Sequence, residues 1–125
     1  MSENRWVAAT RLFDTVRAET VADKWERAQL LFETRDYAKA ALLLAEVAEE
    51  VPFQTDLRLL LARAYYHSAQ LGKAEAQLRV IVDRDPVEHY AHLLLGRTLE
   101  RRGRPEEAAP WLRLAAAFGG ELADV

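Results

Sequence analysis

The side chains best suited to chemistry are His89 and His92, three positions apart with Glu88 beside them. Two imidazoles at that spacing on one helix can share a metal ion. A third ligand is not fixed by the sequence, and the HExxH pattern of a zinc protease is missing. The expectation is therefore that both histidines are solvated on a helix surface and that no metal is held. Glu49-Glu50 and Glu106-Glu107 fall near helix ends and read as solvated acids; the second pair also suits the positive end of a helix dipole. Arg101-Arg102-Gly103-Arg104 is basic, but Glu100 and Glu106 flank it, which makes a weak site for an anionic partner. There is neither a glycine loop to cradle phosphate nor a nucleophile elbow, and there is no cysteine. Disulfide and thiolate chemistry are thereby excluded. The chain reads as non-catalytic, with no cofactor.

Composition narrows the partners. The chain has 125 residues, half of them apolar and 30% charged, with a net charge of −3. That balance suits a single folded domain and gives no general attraction to nucleic acid or anionic lipid. The start, Met1-Ser2-Glu3-Asn4-Arg5-Trp6, lacks a basic segment followed by an apolar one, so no secretory signal is expected. No apolar run approaches the ~20 residues that span a bilayer. The expected location is the cytoplasm, with neither membrane nor nucleic acid as partner.

What positions these residues is a pattern that recurs every 34 residues. Tyr37-Ala38-Lys39-Ala40 becomes Leu71-Gly72-Lys73-Ala74 and then Pro105-Glu106-Glu107-Ala108. Leu44, Leu78 and Leu112 each follow the alanine by four. Ala28, Ala62 and Gly96 open the copies with a small residue in one register, and Pro52 and Pro86 close the first two. A fixed period of this length marks an array of small units, none able to bury its apolar face alone.

Helices are expected at 22–34, 37–50, 55–68, 71–84, 87–102 and 105–118, joined by short turns that suit antiparallel pairs. Asp85-Pro86-Val87-Glu88 reads as an N-cap, a first-turn proline and a capping-box glutamate. Pro110 should bend the last helix by removing one backbone hydrogen bond. Gly119-Gly120 should end it, leaving a frayed tail at 121–125. Ahead of the array, residues 4–18 place Trp6, Ala9, Phe13 and Val16 three or four apart, an amphipathic accessory helix. Where small residues face one another, the helices of a pair should approach closely. A bulky residue at Ala62 or Ala74 should cost ~1–3 kcal/mol by overpacking.

Leu61-Ala62, Tyr65, Ala74, Leu78 and Pro86 resemble the tetratricopeptide repeat, as do Leu95-Gly96, Leu99, Gly103, Ala108, Leu112 and Ala115 in the next copy. The first copy is looser, with Ala28, Leu31, Tyr37, Ala40, Leu44 and Pro52, and with Arg35 where the family prefers a turn glycine. The resemblance implies an all-α domain of about seven helices, wound as a right-handed superhelix. Its parts are an accessory segment (1–20), repeats at 21–54, 55–88 and 89–120, and a tail (121–125). It also implies a concave groove lined by the first helix of each pair. Carried onto this sequence, the groove positions are Trp25, Gln29 and Phe32; Leu59, Arg63, Tyr66 and His67; and Tyr90, Leu93, Arg97 and Arg101. Aromatics and arginines are enriched at contacts that carry binding energy. Arg63 and Arg97 are equivalent, and either guanidinium could grip a carboxylate or a peptide carbonyl. Relatives that hold chaperone tails use lysines and asparagines here. Trp25, Gln29, Leu59, Leu60, Arg63, Leu93 and Leu94 stand in their places, so that role is not expected.

Two further surfaces stand out. The accessory helix is expected to lie across the first repeat and shield Trp25 and Phe32. In the last helix Trp111, Leu114 and Phe118 share one face, where earlier copies hold Leu43, Glu46 and Glu50, then Gln77, Val80 and Arg84. Terminal repeats normally turn a polar face outward, so this apolar face suggests a homodimer or a docked partner. The chain is therefore expected to be a scaffold binding a protein or peptide through the groove or the last helix. The alternatives are a structural homo-oligomer and the regulatory subunit of an enzyme.

Overall fold

The first helix is started by its own sequence. The Thr20 hydroxyl accepts the Asp23 N–H at 3.1 Å, and the Asp23 carboxylate accepts the Thr20 N–H at 3.2 Å. Such a reciprocal cap satisfies two of the donors a helix start leaves free. The computed structural model describes residues 19–119 and, among them, six helices and no strand. They are α1 (Val21–Glu33), α2 (Tyr37–Glu50), α3 (Thr55–His67), α4 (Leu71–Arg84), α5 (His89–Arg101) and α6 (Pro105–Gly119). The expected helix at 4–18 and the tail at 121–125 lie outside the described residues. No described helix is long and apolar enough to cross a membrane.

Each helix packs on its neighbour in sequence, and α3 also touches α5. The turn inside each pair is one motif used three times. Arg35, Ala69 and Gly103, spaced 34 apart, all have positive φ, at 65°, 60° and 78°. Around each, two backbone bonds close the preceding helix. Asp36, Gln70 and Arg104 donate to the carbonyls of Leu31, Tyr65 and Leu99, while Arg35, Ala69 and Gly103 donate to Phe32, Tyr66 and Glu100. This is the Schellman arrangement, which favours glycine at its left-handed position. Only the third copy has the glycine.

The core follows the small-residue register. Ala28, Ala40, Ala62, Ala74 and Ala108 are all fully buried. Leu44, Leu57 and Leu61 fill the space around the first pair, and Leu78, Ile81, Leu94, Leu95 and Leu99 fill it around the third. At Gly96 the fit is closest: a Cβ there would lie 2.4 Å from Leu112 Cδ2 and 2.6 Å from its Cγ. Leu112 thus occupies the volume that a side chain at 96 would need.

The expected start of the third pair is corrected. α5 begins at His89, not at 87, and Glu88 rather than Asp85 caps it, accepting the Tyr90 N–H at 3.2 Å. Asp85 instead ends α4, donating its N–H to the Ile81 carbonyl at 2.8 Å. Pro86 and Val87 form the turn between them, and Val87 is exposed. The reason is the period: α3 starts at Thr55, so an equivalent helix starts 34 residues on, at His89. α6 runs through Pro110 to Gly119 without interruption.

A charged cluster ties α4 to the α5–α6 turn. The Glu75 carboxylate, nearly buried, accepts hydrogen bonds from Arg79 at 2.9 Å, from Arg102 at 2.8 Å and from Arg104. Burial alone would push its pKa up. The Arg79 hydrogen bond and the charges of Arg104, Arg79 and Arg102 outweigh this and hold it below the usual carboxylate value. Arg79 and Arg104 also reach Glu107, at 2.7 and 3.2 Å. Arg102 and Arg104 of the basic run are thus spent on structure.

Candidate partner-binding groove

Trp25 and Gln29 project from α1, Leu59 and Arg63 from α3, and Tyr90 from α5, each pair within a helix four residues apart. Together with Asp56 and Leu60 they line a cavity of about 440 Å³. Arg63 is its centre. Its guanidinium carbon stands 4.7 Å from the Phe32 ring centroid and 5.6 Å from that of Tyr90. A guanidinium between two ring faces is held by its charge and its planarity, and its fork of donors is set in advance. The Arg63 Nε is buried without a hydrogen-bond partner. Burial raises the Tyr90 pKa, while the Arg63 charge and its hydrogen bond to the phenol oxygen oppose that rise without cancelling it, so the phenol stays neutral.

An aromatic row continues from this centre. Phe32 meets Tyr37 edge-on at 5.1 Å, Tyr37 stacks on His67 at 4.7 Å, and His67 meets Tyr66 at 5.4 Å. Arg101 closes the row, 4.5 Å above the Tyr66 ring and donating to the Tyr66 carbonyl at 2.9 Å. Of the eleven groove positions, five line the cavity: Trp25, Gln29, Leu59, Arg63 and Tyr90. Phe32, Tyr66, His67 and Arg101 belong to the adjoining row. Arg97 bonds Glu100 at 2.9 Å, which holds it within its own helix. Leu93 is a correction: at 3% exposure it is a core residue and offers no surface to a ligand. Sequence reasoning missed Asp56, although it stands one period before Tyr90 and could have been found that way.

The last helix builds a second concavity. Trp111, Leu114 and Phe118 line a cavity of about 450 Å³ with His92, Arg79, Val82, Asp83 and Pro86. Leu114 and Phe118 are exposed, whereas Trp111 is half-buried against the core. The expectation of a solvated His92 is overturned. It is buried, its Nδ1 lies 2.8 Å from the Glu88 carbonyl, and its ring contacts Trp111 at 5.7 Å and Phe118 at 5.5 Å. α6 packs over this face of α5 and removes the histidine from water. No group of three or more metal-ligating side chains occurs among the described residues.

Paired helices stacked in one register, with a groove of arginine and aromatics across their first members, define a helical-repeat scaffold. The tetratricopeptide repeat model matches residues 31–97, more than half of the sequence, and the chain belongs to that family. No curated protein matches the sequence. Solved structures of MamA share the fold. MamA MSR-1 is 22% identical with a TM-score of 0.75, over 79% of this chain and 57% of its own. MamA AMB-1 is 24% identical at 0.77, over 86% and 62%. MamA from Desulfovibrio magneticus RS-1 is 23% identical at 0.76, over 92% and 65%. The chain thus spans less than two thirds of each.

Proposed function

We propose that this protein is a non-catalytic interaction scaffold, with repeats at 21–54, 55–88 and 89–120, that binds an extended peptide across α1, α3 and α5. The observation that carries this reading is Arg63, stacked between Phe32 and Tyr90 on the wall of the 440 Å³ cavity. A preset guanidinium beside Trp25, Leu59 and Gln29 suits a segment with one carboxylate and an apolar neighbour. Membership of a family of protein-binding repeats supports the general class. Affinity capture from the native host tests it. Arg63→Glu should abolish recovery of the partner while Trp111→Ala retains it; the opposite pattern rejects the groove.

A second reading concerns α6. Trp111, Leu114 and Phe118 stand where the first copy holds Leu43, Glu46 and Glu50. Only this copy is apolar at all three positions, since the earlier ones mix Leu43 with Glu46 and Glu50 and Val80 with Gln77 and Arg84, and that favours self-association here. Sedimentation at rising concentration tests it, since a strict monomer rejects it.

A further inference from the structure

A cavity of about 500 Å³ lies at the first end of the array, walled by Val21, Trp25, Val47, Val51 and Leu57 together with Asp56. One period on, Tyr90 stands where Asp56 stands here, so the first joint lacks a ring that the second possesses. The wall is mainly apolar, with Gln54 and Asp56 as its polar members, and Trp25 is shared with the partner groove. Something of matching chemistry should cover it.

We infer that the occupant is the chain's own segment 4–18, docked as an amphipathic helix. Three observations select it. The segment ends at Ala18, and Val21, three residues later, is already part of the wall, so almost no linker entropy opposes docking in cis. Its apolar residues Trp6, Ala9, Phe13 and Val16 fall three or four apart, the anchor spacing of a helix laid in an apolar groove. It carries Arg5, Arg11 and Arg17 against Asp14, a net positive charge complementary to Asp56 in the cavity lining. The target is narrower than a shield over both Trp25 and Phe32. Phe32 is already held by Tyr37, His67 and Arg63, whereas Trp25 faces the cavity. This inference does not depend on the partner reading. It adds that the segment and a peptide ligand meet at Trp25.

The test uses the full chain with Trp6→Phe and Trp111→Phe, so that Trp25 is the sole indole. Adding Phe13→Asp should shift Trp25 emission to the red and increase its quenching by acrylamide. A synthetic peptide of residues 1–18 with Trp6→Phe, which adds no indole, should reverse both changes. Limited trypsin digestion is the second reading. Cleavage after Arg11 should be faster in Val51→Asp, which alters only the cavity side, than in the parent. Unchanged emission together with unchanged cleavage overturns the inference. Emission that depends on protein concentration also overturns it, because a second copy would then be the occupant.

Discussion

The His92 ring lies 5.5 Å from the Phe118 ring, where 68 residues earlier Lys24 Nζ lies 2.7 Å from Glu50 Oε1. Between them, Arg58, the equivalent of Lys24 and His92, donates to Gln77 at 3.3 Å, and Gln77 stands where the last copy holds Trp111. One position on the first helix thus meets the second helix through an ion pair, a polar bond and an aromatic contact in turn. The backbone array is constant while the chemistry of this face grades from charged to apolar. Converting the last copy back should therefore be tolerated by the fold. We predict that Phe118→Glu, on an exposed ring, leaves stability within ~1 kcal/mol. If α6 mediates self-association, the same change makes the protein monomeric in sedimentation velocity.

The three turns differ in residue but not in conformation. Arg35 and Ala69 are held at positive φ, which costs a non-glycine residue ~1–2 kcal/mol, partly offset by the greater unfolded-state freedom of glycine. Arg35→Gly and Ala69→Gly should each stabilise by about 0.5–1 kcal/mol, additively because the turns are distant. Urea denaturation reads both. Gly103→Ala should destabilise by a similar amount.

Gly96 and Leu112 occupy each other's space. Gly96→Val should destabilise by ~1–3 kcal/mol, and Leu112→Ala in the same chain should recover part of that loss. A simple sum of the two single effects would show that the helices separate instead of interlocking.

Glu75 makes stability depend on pH with a definite sign. Its carboxyl is held below the usual value in the folded state, so the folded protein favours the ionised form. The stabilisation is complete above the ordinary carboxylate range and is lost as pH falls through the folded value. Glu75→Gln should cost about 1–3 kcal/mol at neutral pH and flatten the acid limb of the stability profile. Equal acid sensitivity in the variant would assign the limb to other carboxylates.

Much of the fold was legible because a 34-residue period constrains every copy at once. Ala28, Ala62, Ala40, Ala74 and Ala108 are buried as their register requires. The Asp85-Pro86 signature misled because a local cap motif fits two registers, and the 34-residue period counted from Thr55 selects His89 as the start. His92 and Leu93 escaped for a related reason. A helix face reads as exposed or buried only when the elements covering it are known, and adjacent residues need not share an outcome. Arg63 was legible as a groove residue by its register. Its clasp by Phe32 and Tyr90 was not, because it joins three helices.

The groove itself is tested most directly by selecting binders from a displayed library of random peptides and titrating them calorimetrically. Selected peptides should carry a carboxylate, and Arg63→Glu should weaken them at least ~10-fold, about 1.4 kcal/mol, while Trp111→Ala should not. Peptides that bind wild type and Arg63→Glu equally would contradict the groove reading.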